Sequence, residues 1–222
     1  MLIALLFALN KGLYTVRNIM PFEWASGCTY ESPTDEHVSA MVEGEFDLRD
    51  GCNPVGNKNL KSRTKYLATI YAPKSPDKNE SQDGTKKIEV ENPFGWKDWT
   101  IPASPEGIDR DSQDWAMTAF RPLLRKSTAD YFTPVLRIGR WFPEEVILSR
   151  DKIDLERSSA ESVAFKFESQ EGGRPYFYVN DVPSGFWRVD CRKGWDWFPY
   201  KNYDPYCNNK GAGKITIEPY VE

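Results

Sequence analysis

Two polar stretches near the end of the chain hold the residue types that a hard cation needs. Asn180-Asp181-Val182-Pro183-Ser184-Gly185 offers the Asp181 carboxylate at the end of an alternating strand, then a turn able to aim backbone carbonyls inward. Asn208-Asn209-Lys210-Gly211-Ala212-Gly213 offers two side-chain amide oxygens just before another strand. Carboxylates, amide oxygens and backbone carbonyls are the ligands calcium prefers. If the two flanking strands pair, Asp181 and Asn208-Asn209 meet at one rim of a sheet. Between them runs a tract that holds Trp187, Trp195, Trp197 and Tyr200, with Cys191 and Cys207 in it. Aromatic faces beside a cation suit a sugar, whose C–H face stacks on indole while its hydroxyls reach the ion. The same Asn, Asp and Gly residues also serve as ordinary turn formers, so both readings stand at this point.

Other chemistry finds little footing. A nucleophile–histidine site would have to use His37, the single histidine, and no Gly-x-Ser-x-Gly elbow is present. His37 therefore reads as a surface residue. No phosphate-binding loop or dinucleotide fingerprint occurs. The run Asp109-Arg110-Asp111-Ser112-Gln113-Asp114 has acidic spacing but lacks the central Gly and terminal Glu of a calcium loop, and reads as a helix-cap region. Glu144-Glu145 and the pair Glu89/Glu91 read as solvated faces or strand edges. No particular carboxylate pair stands out for glycoside hydrolysis. The expectation is a protein that binds rather than catalyses.

Charge and cysteines bound the setting. The chain has 222 residues, a net charge of −4 and no long basic run, which argues against a nucleic-acid partner. Proximity along the chain pairs Cys28 with Cys52 and Cys191 with Cys207, so that each bridge would staple a long loop. Disulfides imply an oxidising compartment, here a periplasmic or other extracytoplasmic one; four reduced thiols in a cytosolic protein are the alternative. The opening Met1-Leu2-Ile3-Ala4-Leu5-Leu6-Phe7-Ala8-Leu9 is apolar but too short to span a bilayer, which needs about 20 residues. It reads as the end of a membrane anchor from a longer precursor, a minimal anchor or a packed strand, with the anchor reading agreeing with the cysteines.

The elements that must position these residues are mostly strands. Val38, Ala40, Val42 and Phe46 are candidate inward positions of a first strand, and 64–72 forms a stronger one rich in Tyr, Ile and Thr. Residues 49–62 read as a loop. A polar tract at 76–86 is the best candidate boundary between a β-rich part at 24–75, preceded by the apolar segment 1–23, and a larger unit at 87–222. Within that unit 93–108 reads as turns and irregular crossings, and 111–127 as one short helix limited by Pro122. Strands are expected at 87–92, 131–141, 144–149, 162–169, 174–181 and 213–221. Val163, Phe165 and Phe167 alternate with Ala164, Lys166 and Glu168, the pattern of a half-buried antiparallel strand. Short strands broken by Gly/Pro loops give a mostly β fold, an antiparallel β-sandwich or jelly roll with a β-rich N-terminal extension.

From about Val135 onward the order of features resembles the bacterial calcium-dependent galactose-binding lectins, the PA-I galactophilic lectin family. The resembling pieces are Val135–Arg140, Gly173–Phe186 with its Asn-Asp-x-Pro turn, and Asn208–Pro219. The resemblance implies a galactose-binding-domain-like sandwich. It also implies calcium held by the Asp181 carboxylate, the Gly185 carbonyl and the side-chain oxygens of Asn208 and Asn209. Trp187, Trp195, Trp197 and Tyr200 would then line or flank the ligand surface. Two departures are plain. Ser184 stands where the family has a turn glycine, and the aromatic tract separates two motifs that lie close together in the family. A rival reading uses the same tract for a protein partner, as an immunity, inhibitor or adaptor protein would, because Trp and Tyr dominate interface hot spots and a disulfide pre-organises the loop that carries them.

Overall fold

The computed structural model describes residues 34–49, 53–73, 93–98, 101–108, 124, 129–140, 143–180 and 209–220. Apolar residues at every second position make strands that must bury one face, and the described chain is accordingly mostly β, with antiparallel pairing in every sheet. The strands are β1 (Val42–Asp47), β2 (Asn53–Pro54), β3 (Thr64–Tyr71), β4 (Trp96–Asp98), β5 (Ile101–Ala103), β6 (Pro134–Ile138), β7 (Glu144–Ile147), β8 (Ser162–Ser169), β9 (Pro175–Val179), β10 (Asn209–Lys210) and β11 (Ala212–Pro219). Arg150–Lys152 forms a single 3-10 turn. Sheet one has the order β1-β11-β3-β8, sheet two β2-β9-β6-β7, and a small third sheet β10-β4-β5.

Register assigns each face. In sheet one Val42, Phe46, Tyr66, Ala68, Ile70, Val163, Phe165, Phe167, Ile215 and Ile217 share the inner face. Sheet two turns Leu136, Ile138, Val146, Phe177 and Val179 toward the same cluster. Phe46 of sheet one meets Phe177 of sheet two at 4.5 Å between ring centroids, so the sheets share one core. Each such side chain removed from water contributes about 1.5–3 kcal/mol.

β1 and β3 come from before the polar tract at 76–86, yet they hydrogen-bond to β11 and β8 from beyond it. Residues 34–73 therefore supply strands to the same sheets as the rest, and the tract does not separate the sheets. Strands are present where they were expected among the described residues, with three differences, and the strand expected at 87–92 lies outside those residues. Ala40 is exposed while Val38, Val42 and Phe46 are buried. Trp96–Asp98 and Ile101–Ala103, in a stretch expected to be irregular, are the paired strands β4 and β5. Ala164, expected on a solvated face, is fully buried, because the turn at 154–158 lies over it and Asp154 N–H donates to its carbonyl at 2.8 Å. The expected helix at 111–127 lies outside the described residues apart from Leu124, which is buried.

Candidate functional site

Strand direction divides the structure into two unlike ends. At one end β1 stops at Asp47, β3 at Tyr71, β7 at Ile147 and β9 at Val179, and the connections 48–52, 72–133, 148–161 and 180–211 leave from there. At the other end the strands are joined by 55–63, 139–143 and 170–174. The long connections all belong to the first end, called here the loop end. The motifs singled out in the sequence sit at its root. They do not get there by pairing, however: β9 lies in sheet two between β2 and β6, and β11 lies in sheet one between β1 and β3. The expected single rim is thus a junction of two sheets.

Three buried asparagines tie that junction together. Asn53 spans the sheets: its Oδ1 accepts from the Asp47 N–H at 3.0 Å, and its Nδ2 donates to the carbonyls of Asp47 and Phe177, each at 3.2 Å. Asn180, at the start of the connection 180–211, donates Nδ2 to the carbonyls of Asp130 at 3.0 Å and Ala129 at 3.4 Å, at the close of the connection 72–133. Its backbone completes the lock, with Phe132 N–H to the Asn180 carbonyl at 2.8 Å and Asn180 N–H to the Thr133 carbonyl at 2.9 Å. Asn209, at the far end of 180–211, donates Nδ2 to the Leu48 carbonyl at 3.2 Å. Each amide replaces water on a buried carbonyl, which would otherwise cost about 1–3 kcal/mol to leave bare.

The third sheet seats the connections on the core. β4, from 72–133, pairs with β10, from 180–211, with Asn209 opposite Asp98 and Lys210 opposite Lys97. Trp96 is fully buried and packs edge-on to Phe46 at 5.7 Å and Phe94 at 5.8 Å. Gly211 makes room for it. Its φ is +137°, and a Cβ there would lie 2.7 Å from the indole Cδ1. In the connection 148–161, Lys152 Nζ donates to the Ile147 carbonyl at 2.7 Å, and burial lowers its pKa.

Of the residues expected to hold calcium, Asn209 is described, and its amide group is committed to Leu48 with one oxygen left over. Asp181, Gly185 and Asn208 lie outside the described residues, as do Trp187, Trp195, Trp197, Tyr200 and the cysteines Cys28, Cys52, Cys191 and Cys207. Among the described residues no group of three His, Cys, Asp or Glu side chains could hold a metal ion. His37 is exposed and bridges to Asn59. Among the described residues no helix is long and apolar enough to cross a membrane.

One cluster was not foreseen. The face of sheet two turned away from the core carries Val135, Arg137, Glu145, Tyr176 and Tyr178. Arg137 stands between Glu145 and Tyr176 in register. Tyr178 donates to Glu145 Oε1 at 3.0 Å, and Arg137 Nη1 lies 3.8 Å from the same oxygen, with both charged side chains 4% exposed. Arg174 donates Nε to the Gly56 carbonyl at 3.0 Å and lies 5.5 Å from the Tyr176 ring centroid. Glu145 is therefore a buried partner of Arg137, not a solvated edge residue. The available signal was Arg137 inside the apolar run Pro134–Ile138, where a charge must find an internal counter-charge.

No family model, curated protein or solved structure matches the chain.

Proposed function

We propose that this protein is a non-enzymatic binding module whose loop end takes a carbohydrate. The order β1-β11-β3-β8 facing β2-β9-β6-β7 is the order two interlocked Greek keys give, and supports reading the sheets as a jelly-roll sandwich. Lectin domains use that architecture, although the fold by itself does not decide function. The observation that carries the reading is the β4–β10 pairing. It fastens the two longest connections together at one end, one of them bearing the tract with Trp187, Trp195, Trp197 and Tyr200. A pre-organised site costs less to order on binding.

Calcium enters through the resemblance, with Asp181, Gly185, Asn208 and Asn209 as its oxygens. The free Oδ1 of Asn209 fits the role of one neutral ligand. When bound, the ion would supply fixed positive charge for sugar hydroxyls. A glycan array with and without calcium, beside isothermal titration of calcium, tests both parts. The expected result is glycan binding that falls with a chelator and with the double substitution Asp181→Ala, Asn208→Ala. Glycan binding that ignores calcium removes the ion and keeps the module. No glycan binding together with a protein captured through the Trp-bearing tract moves the reading to the protein-partner alternative.

A further inference from the structure

Two buried polar atoms at the loop end have no hydrogen-bond partner among the described residues. One is the Trp96 Nε1–H, a donor, and the other is Asn209 Oδ1, an acceptor. Both residues are 0% exposed. The Asn209 amide cannot be turned to hide the problem, because its NH2 faces the Leu48 carbonyl and a flip would set oxygen against oxygen. The register puts the two side chains on one face: Asn209 is opposite Asp98, so Gly211 is opposite Trp96, and Lys97 and Lys210 take the exposed face. The indole Cδ1, bonded to Nε1, is the ring atom nearest a Cβ built on Gly211. The N–H edge of the indole thus lies beside the backbone that leads to Asn209.

Complementarity names the missing chemistry. A single group that satisfied both would have to accept one hydrogen bond and donate another. A bare cation cannot accept from the indole, an ammonium has no acceptor, and a carbonyl leaves the asparagine oxygen bare. We infer that Trp96 and Asn209 form a seat for one hydroxyl oxygen, which accepts from the indole N–H and donates to Asn209 Oδ1. The hydroxyl has two sources. A buried water is the smaller, of the kind that satisfies orphaned groups in protein interiors. A hydroxyl of a bound sugar is the other, and that source alone rests on the carbohydrate reading above. The amide oxygen has a second lone pair, so the seat does not compete with calcium.

The test is proton–nitrogen NMR on the full chain in calcium-free buffer. The Trp96 indole peak is the one lost in Trp96→Phe, and its contacts to the Phe46 ring identify it independently should that variant fold poorly. A cross-peak from this indole proton to a long-lived water supports the seat. Titration with a methyl galactoside separates the sources. Loss of the water contact with a shifted indole peak gives the seat to the sugar, whereas an unchanged contact gives it to water and leaves the glycan array to judge the carbohydrate reading. An indole proton with no water contact and no response to the sugar overturns the inference.

Discussion

The two ends of the sheets solve opposite problems. At the closed end, turns are short and backbone packs on backbone: Gly173 has φ +118°, and a Cβ there would sit 2.7 Å from the Gly139 Cα. Leu60 and Gly173 exchange backbone hydrogen bonds at 2.9 and 3.0 Å, and Glu144 Oε2 accepts from the N–H groups of Gln170 and Glu171 at 2.8 and 3.2 Å. At the loop end, long connections are held by buried side chains as well as by backbone bonds, through Asn53, Asn180, Asn209 and Trp96. Backbone packing tolerates no substitution but frees no surface. Side-chain clamps allow the segments beyond them to vary, which is what a binding end requires.

The sharpest way to break this contrast is Gly173→Ala. The added methyl meets backbone that cannot move and forces a positive φ on alanine, so a loss of about 3 kcal/mol or more is expected in urea denaturation. A loss under about 1 kcal/mol would mean that the closed end is not rigid. Next is the buried pair on sheet two. Arg137→Met removes the positive charge beside buried Glu145 and should cost about 3 kcal/mol, while Arg137→Met with Glu145→Leu should cost less than the two single losses added. Simple additivity in that double-mutant cycle would remove the coupling.

At the loop end Asn180→Ala removes the donor to the buried Ala129 carbonyl and the half-buried Asp130 carbonyl and should cost about 1–3 kcal/mol. Hydrogen exchange should quicken at 129–133 and stay unchanged at 170–174, and the reverse pattern would exchange the roles of the two ends.

The smallest effect belongs to Asp154 and Lys166, 3.1 Å apart over the outer face of sheet one. Burial raises the Asp154 carboxyl, but the Lys166 ammonium and the N–H groups of Glu156 and Arg157 outweigh it and leave the pKa lowered. Lys166 is raised, first by its bond to Tyr220 and then by Asp154. A lowered carboxyl stabilises fully above its unfolded value of about 3.9 and loses that contribution as pH falls through the folded value. Asp154→Asn should therefore lower the melting temperature slightly at pH 7 and by less at pH 3. An equal loss at both pH values would rule out the ionic tie.

Much of the fold was legible because alternation is a local signal. Val163, Phe165 and Phe167 announce their shared face, and Tyr66, Ala68 and Ile70 do the same. Partner choice was not legible. β9 and β11 are successive long strands whose pairing was the condition for a single rim, yet they lie in different sheets. That topology is decided by which faces must be covered, a property of the whole chain. Two asparagines of the polar stretches have a structural role that the residues alone did not show. Asn180 and Asn209 resemble turn formers or cation ligands in sequence, and only the crossing of two connections reveals them as donors to Asp130 and Leu48. Glu145 looked solvated because its partner, Arg137, is a neighbour across strands and not along one.

Hydrogen exchange of the full chain with and without the glycan that the array identifies tests the central claim that the loop end is the binding end. The account predicts slowed exchange at 47–49, 129–133 and 209–212 with the glycan bound, and no change at 55–63, 139–140 or 170–174. Protection confined to the closed end, or none anywhere, would contradict it.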